Sequence, residues 1–123
     1  MGGPSGVEAP QSEAVRQYEL WWAQLPAPIG RCPVLLLTRT PAYAYLNKAI
    51  VAEVTRTIRG IPQEIEVGRR EGLPARSVVN MDNVHVVPMR QLAERIGRLE
   101  TGREAEVKRA VGYALDWAEL KIL

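Results

Sequence analysis

Short stretches of β-forming and apolar residues, each ended by Gly, Pro or Asn, occupy most of the chain between Tyr18 and Val87. Stretches of this length are typical of strands in a small antiparallel sheet. No apolar run approaches the roughly 20 residues that a membrane-spanning helix needs. Strands are predicted at residues 18–23, 33–38, 48–55, 64–67, 77–81 and 84–87. The sequence therefore predicts a small twisted sheet or partial barrel.

The hydrophobic period becomes helical after Pro88. A short helix over residues 89–99, ending near Gly97, is predicted from the spacing of Met89, Leu92, Ile96 and Leu99. Thr101 and Glu104 have the spacing of a capping box for a second helix. That helix would carry an apolar stripe of Val107, Ala110, Val111, Ala114, Leu115 and Ala118, and would run to Leu120. Trp117 lies beside the stripe, where it would contact the sheet edge or a partner.

Residues 1–14 are rich in Gly, Pro and Ser, so we expect a disordered tail followed by one domain over residues 15–123. The 123-residue chain is 46% hydrophobic and 24% charged, which suits a single globular core. One cysteine and one histidine permit neither an internal disulfide nor a structural zinc site. We therefore expect a small cytoplasmic domain.

Positive charge is concentrated in the middle of the chain, although the whole carries only +2. Residues 30–76 contain eight basic and four acidic residues, a net +4, which leaves −2 elsewhere. Thirteen of the sixteen cations are arginine, which contacts phosphate at two points and stacks on bases. The asymmetry indicates an anionic ligand, and an ion-paired, solvated surface is the simpler alternative.

The usual catalytic patterns are missing from the sequence. It has no cluster of metal ligands and no phosphate-binding glycine motif, and His85 lies in an apolar strand, where structural histidines are commoner than catalytic ones. Cys32 is either a thiol activated by a nearby cation or a small buried residue. RNA cleavage needs neither metal nor cofactor, because RNA supplies its own 2′-OH nucleophile and arginines can stabilise the developing charge.

An ordered set of motifs resembles the MazF/PemK toxins of bacterial toxin–antitoxin systems. The resemblance spans roughly residues 18–99, about two-thirds of the chain. It rests on Trp21-Trp22 and on residues 26–30, 33–39, 51–55, 59–65, 72–74 and 77–83. The resemblance implies a mainly β fold with α elements: an SH3-like β-barrel of the CcdB/MazF type, followed by C-terminal helices.

The same resemblance implies an activity and partners. Such proteins are homodimeric, sequence-specific endoribonucleases that use no metal or other cofactor. They cleave single-stranded RNA through 2′-OH attack, which leaves a 2′,3′-cyclic phosphate and a 5′-OH. The RNA lies in a groove across the dimer, and a cognate antitoxin peptide that folds on binding fills the same region.

Two positions carry the chemistry that the resemblance implies. One is a threonine at the end of the third strand, matched by Thr55; the other is an arginine before the proline of the second strand, where this chain has Cys32. Arg31 is adjacent, but successive strand residues face opposite sides, so it does not automatically substitute. Three explanations remain open: an inactivating change, a natural member in which Arg31 or another arginine acts, and an RNA binder that does not cleave.

Further positions are expected to contact RNA, through the substrate backbone or its bases. These candidate substrate-binding residues are Pro28, Gly30, Arg56, Thr57, Ser77 and Asn83. For Ser77 and Asn83, turn-forming or interface roles are equally open. Trp21 and Trp22 must face opposite sides of their strand, so at most one lies in the core, and the other stacks on a base or packs against a partner.

The main rival function is binding without cleavage. CcdB toxins have the same fold and bind a topoisomerase, and a barrel that binds only RNA and antitoxin is a second alternative. Residues 59–64 and 77–80 favour the ribonuclease branch.

Overall fold

The computed structural model describes residues 15–123 and consists of a six-stranded antiparallel sheet, curled into a half-barrel and followed by two helices. In chain order the elements are β1 (Glu19–Leu25), β2 (Gly30–Leu36), β3 (Lys48–Thr55), β4 (Glu64–Val67), β5 (Ser77–Pro88), β6 (Leu92–Arg98), α1 (Glu104–Leu115) and α2 (Ala118–Lys121). The order across the sheet is β4-β5-β3-β2-β1-β6. This architecture confirms the predicted fold class. The predicted tail, residues 1–14, lies outside the described residues.

The sheet buries side chains on both faces, which gives two apolar clusters. Val34 and Val51 belong to the cluster on one face, together with Trp21. Their neighbours Leu35 and Ala52 point the other way, into a cluster that α1 covers. Strands buried on both faces explain why the sequence shows continuous apolar runs here instead of an alternating pattern.

β5 is one continuous strand, whereas the sequence predicted two strands separated by Asp82-Asn83. Glu53 pairs with Asn80 while the preceding residue, Ala52, pairs with Val84, so residues 81–83 form a bulge opposite β3. A bulge bends a strand without ending its pairing. The polar pair therefore marks a bend in β5.

The helix predicted over residues 89–99 is wrong. Met89–Gln91 is a single 3-10 turn, and the chain then forms β6, which pairs with β1 through two irregularities in register. Without β6, β1 would expose a row of unpaired backbone groups at the sheet edge. The hydrogen bonds that β6 makes to this edge outweigh the helical spacing of its apolar residues. Gly97 ends no helix: it lets β6 approach the backbone of residue 71, because a Cβ there would lie 2.0 Å from the Glu71 carbonyl oxygen.

α1 begins at Glu104, not at a capping box on Thr101. Its N-cap is Arg103, with no side-chain cap, and the Glu104 carboxylate accepts a hydrogen bond from the Gly102 N–H at 3.0 Å. The helix ends at Leu115 because Asp116 adopts the left-handed conformation (φ 54°), so the predicted single helix to Leu120 is broken before the short α2. Among residues 15–123, no helix is long and apolar enough to cross a membrane.

Candidate active site

A small cavity of about 150 Å³ lies where β3 ends and β5 begins. Its lining residues are Trp22, Pro33, Val54, Thr55, Arg56, Leu73, Pro74 and Ser77. Three residues predicted from the sequence, Thr55, Arg56 and Ser77, therefore meet in one concave site. We call it the Thr55 cavity.

Thr55 and Ser77 are held by local hydrogen bonds. The Thr55 hydroxyl accepts a hydrogen bond from the N–H of Thr57 at 3.1 Å, which fixes its orientation at the strand end while leaving its proton free to donate. Ser77 is buried and donates to the Ala75 carbonyl at 3.0 Å, so its hydroxyl proton is already engaged. Thr55 is thus the hydroxyl better prepared to donate to a ligand in the cavity.

Arg31 lies beside the cavity, in contact with one of its lining residues, Trp22. In the antiparallel pairing of β1 and β2, Trp22 is opposite Pro33 and Gln24 is opposite Arg31, so all four share one face. The Arg31 guanidinium lies 4.5 Å from the centre of the Trp22 ring and 3.2 Å from Glu94. Trp22 forms a wall of the cavity, so the half-exposed Arg31 guanidinium, paired with Glu94, lies against that wall without lining the cavity itself.

Cys32 faces the opposite side and is only 8% exposed, within the same apolar cluster as Trp21. Its sulfur lies 3.2 Å from the Pro33 carbonyl oxygen and 3.6 Å from that of Val54. Burial raises the pKa of the Cys32 thiol, and the nearby Glu53 carboxylate raises it further, against a lowering by the Val54 contact. These surroundings favour the buried-residue interpretation over an activated thiol.

The remaining predicted residues lie outside the cavity lining. Pro28 lies in the exposed turn of the β1–β2 hairpin, Gly30 is the first residue of β2, and Thr57 follows β3, two residues beyond Thr55. Asn83 is exposed on the bulge of β5; its neighbours Asp82 and Val84 line a different groove, against α1. The structure therefore does not bring Asn83 to the Thr55 cavity.

Sequence reasoning missed a hydrogen-bonded Glu–His pair close to the site. Glu53, two residues before Thr55, lies with its carboxylate 2.5 Å from His85 Nε2, and their side chains are 17% and 24% exposed. The two meet because Val51 pairs with His85 across β3 and β5, and Glu53 is on the same face as Val51. The carboxylate satisfies the ring nitrogen, which agrees with a structural role for His85. Within the described part of the chain, no three His, Cys, Asp or Glu side chains are grouped as a metal site.

The chain is similar in sequence to a known family of toxins. A family model described as PemK-like, MazF-like toxin of type II toxin-antitoxin system matches residues 16–115. The chain is 41% identical over 100 residues to the probable endoribonuclease MazF5 of Mycobacterium tuberculosis, covering 80% of this chain and 90% of that protein. It is 39% identical over 87 residues to endoribonuclease MazF3 of the same species, covering 69% and 84%.

Solved structures agree with the sequence comparison. The Mycobacterium tuberculosis toxin MazF-mt6 superposes with a TM-score of 0.75 at 36% identity, covering 80% of this chain and 96% of that one. A mycobacterial endoribonuclease in complex with its cognate antitoxin superposes with a TM-score of 0.72, covering 85% and 97%. Its identity is 19%, so this second likeness establishes the fold alone.

Proposed function

Because the chain belongs to the PemK-like, MazF-like family of type II toxin–antitoxin toxins, we propose that it is an endoribonuclease that cleaves single-stranded RNA at specific sequences. The observation that carries the proposal is the Thr55 cavity, where a hydroxyl with a free proton lies beside Arg56. A narrow site with a donor hydroxyl and a cation can hold a phosphodiester in one orientation. The reaction would proceed in the cytoplasm, without a metal.

The chemistry follows from the substrate's own nucleophile. The ribose 2′-OH gives its proton to water as its oxygen attacks the adjacent phosphorus, the bond from phosphorus to the 5′-oxygen breaks, and that oxygen takes up a proton from water. The products are a 2′,3′-cyclic phosphate and a 5′-OH. In this site Thr55 holds the phosphate by donating a hydrogen bond, while Arg56 at the cavity and Arg31 behind Trp22 stabilise the charge of the transition state.

The hairpin turn and the β3 end would extend RNA contacts beyond the cavity. Pro28 and Gly30 lie next to Arg31 at the tip of the β1–β2 hairpin, and Thr57 continues the chain from Arg56. We assign these residues to the substrate backbone. Ser77 contributes a wall of the cavity, and Asn83 reaches RNA only if a second protomer or a long substrate passes the β5 bulge.

The orientation of Cys32 bears on which arginine takes part in catalysis. With Cys32 turned into the apolar cluster, Arg31 is the adjacent exposed cation and stacks on Trp22, a wall of the cavity, which supports the explanation that Arg31 has taken over. The missing charge at residue 32 equally supports the alternative of a barrel that binds RNA and antitoxin without cutting. A CcdB-like topoisomerase inhibitor is the less supported version of that alternative, because the matched relatives are named endoribonucleases.

Four variants test the catalytic assignment: Cys32→Arg, Arg31→Ala, Thr55→Val and, as an exposed threonine away from the site, Thr101→Val. We expect the unchanged chain to cleave RNA and Arg31→Ala or Thr55→Val to slow cleavage about 10²–10³-fold, as loss of one transition-state donor does. Thr101→Val should cleave at the parent rate. Cleavage is followed on total RNA, with sequencing of the new ends.

Each result selects one explanation. Cleavage only after Cys32→Arg means that Cys32 is an inactivating change. If both the unchanged chain and Cys32→Arg bind RNA but do not cleave it, the protein is an RNA binder without ribonuclease activity. Cleavage at an unchanged rate by Thr55→Val removes Thr55 from the mechanism.

We further infer a homodimer and an antitoxin partner. Exposed apolar residues join two neighbouring grooves that share Ile50: one extends to Leu115 on α1, the other to Leu46 and Val86. We call this surface the apolar face. Contiguous apolar surface of this kind is uncommon on a monomer and suits a second copy of the chain. The matched family is described as a toxin of type II toxin-antitoxin systems, which supports an antitoxin partner here.

A further inference from the structure

We propose that a second cavity, lined by arginines on the loop between β4 and β5, binds the phosphate backbone of the substrate RNA beside the Thr55 cavity. The inference rests on the proposed ribonuclease function. The cavity has a volume of about 290 Å³. It is lined by Glu66, Val67, Gly68, Arg69, Arg70, Glu71, Arg76 and Arg103, and we call it the arginine pocket.

Arg103 forms the fixed wall of the arginine pocket. Its guanidinium donates to the Glu71 carboxylate at 3.1 Å, to the Glu66 carbonyl at 2.7 Å and to Glu106. Glu71 is buried and accepts a second hydrogen bond from the Gly68 N–H at 2.6 Å. The charge of Arg103 is therefore matched by carboxylates, and its role is to hold the loop in shape.

The other three arginines carry charge that a ligand can use. Arg76 pairs with Glu66 at 2.7 Å and Arg70 with Glu100 at 3.5 Å, but all four side chains are largely exposed. Exposed ion pairs contribute little and exchange readily for a better anion. Arg69 has no ion-pair partner within 4.0 Å among the residues that the structure describes.

The chemistry of the lining favours phosphate. All the cations are guanidinium groups, whose planar fork matches two phosphate oxygens, whereas an ammonium group acts as a point charge. A single RNA strand offers such an anion at every nucleotide. A peptide with acidic side chains is the competing ligand, and its affinity is therefore measured beside that of RNA.

The arginine pocket and the Thr55 cavity are two sides of one loop. Leu73, Pro74 and Ser77 line the Thr55 cavity, and Arg76 of the arginine pocket immediately precedes Ser77, the first residue of β5. Consecutive Cα atoms are about 3.8 Å apart, so Arg76 lies within a few ångströms of both sites. An RNA strand whose scissile phosphate lies at Thr55 would place phosphates a few nucleotides further along at the arginine pocket.

The loop is rigid enough to act as a binding surface. Gly72 and Gly97 bring it into backbone contact with β6, with no room for a Cβ at either glycine. A surface that is already ordered loses little conformational freedom when the RNA binds.

The test compares RNA binding by the full chain and by the double variant R69A/R70A. Its control, R16A/R90A, removes two exposed arginines elsewhere and so has the same net charge. The probe is a fluorescent single-stranded RNA carrying the cleaved sequence, with a 2′-deoxy nucleotide blocking the cut. We expect R69A/R70A to bind about tenfold more weakly than R16A/R90A, with a salt-dependence slope lower by about 1.4, since each phosphate contact on a single strand contributes about 0.7.

Two further measurements sharpen the result. Glu66→Gln frees Arg76 without changing the shape of the side chain, so we expect it to bind the same RNA more tightly. A probe trimmed to the nucleotides around the cut should bind R69A/R70A and R16A/R90A equally, because it does not reach the arginine pocket. Equal binding of the long probe by both double variants, or no gain with Glu66→Gln, overturns the inference.

The outcome for a protein ligand is also distinct. If R69A/R70A lowers affinity for the antitoxin peptide but not for RNA, the arginine pocket is a protein site and the inference is wrong. If the unchanged chain binds no RNA, the proposed function and this inference both fail. If the unchanged chain binds RNA and the two double variants bind it equally well, this inference fails while the proposed function stands.

Discussion

At the scale of single residues, the alternation of a β-strand determines which of two neighbours takes part in chemistry. Arg31 and Cys32 are adjacent, yet one stacks on Trp22 beside the Thr55 cavity while the other is buried in an apolar cluster. The resemblance identified residue 32 as the catalytic position, but the cation present in this chain is one residue away and on the other face. With the cation at residue 31 instead of residue 32, the positive charge would approach the substrate phosphate from the other side of the strand.

The buried thiol makes a direct prediction. Because burial raises the pKa of Cys32, less thiolate is present at pH 8 in the folded protein than in the unfolded chain, and access is also restricted. We expect iodoacetamide to alkylate folded Cys32 at least about 100-fold more slowly than the same protein in urea. The alkylation rate of folded Cys32 should rise only at pH values above those at which an exposed cysteine thiol ionises. Mass spectrometry over time measures both rates, and equal rates would show an accessible, ordinary thiol.

At the scale of elements, the loop between β4 and β5 is fixed by close backbone approach to β6. A Cβ on Gly97 would lie 2.0 Å from the Glu71 carbonyl oxygen, and one on Gly72 would lie 2.5 Å from that of Ile96. This loop carries Leu73 and Pro74 to one cavity and Arg69, Arg70 and Arg76 to the other. The position of β6 therefore controls the geometry of both proposed RNA contacts.

Gly97→Ala tests this contact. The added methyl must push two backbone segments apart, and we expect a loss of about 3 kcal/mol in the free energy of unfolding, the upper end of overpacking costs. The control is Gly60→Ala, where φ is +72° but nothing lies within 4 Å of the new Cβ. The control should lose only about 1 kcal/mol, from the left-handed backbone. Urea denaturation of both proteins decides, and equal losses would mean that the contact is easily relieved.

The same region shows where sequence reasoning succeeds and where it fails. β3 and β4 were predicted to the residue, because a β-forming run with breakers at both ends determines a strand locally. β6 was predicted as a helix, because its apolar spacing is helical and the need to pair with β1 depends on tertiary structure. The Glu53–His85 pair was missed for the same reason: 32 residues separate its members, and only the pairing of β3 with β5 brings them together.

At the scale of the whole molecule, charge and apolar surface are divided between regions. The net charge is only +2, but Arg56 lines the Thr55 cavity and four arginines line the arginine pocket. The apolar face uses other elements: β3, β5 and the end of α1. If two copies meet through the apolar face, the arginine-lined sites remain open to RNA, and a dimer doubles the positive charge without crowding it.

The apolar face predicts the oligomeric state. Val86, 62% exposed on β5, lies opposite Ile50 on β3 at the centre of this face. Val86→Asp adds a charge where a second copy would exclude water, whereas the isolated subunit tolerates it because the side chain already faces solvent. We expect the unchanged chain to be a dimer and Val86→Asp to be a folded monomer, with circular dichroism unchanged and the mass measured by light scattering after gel filtration.

The control is Ile122→Asp, which changes an exposed apolar residue near the C-terminal end. This variant should remain dimeric, since Ile122 lines neither groove. A dimer of Val86→Asp would place the subunit contact elsewhere on the molecule.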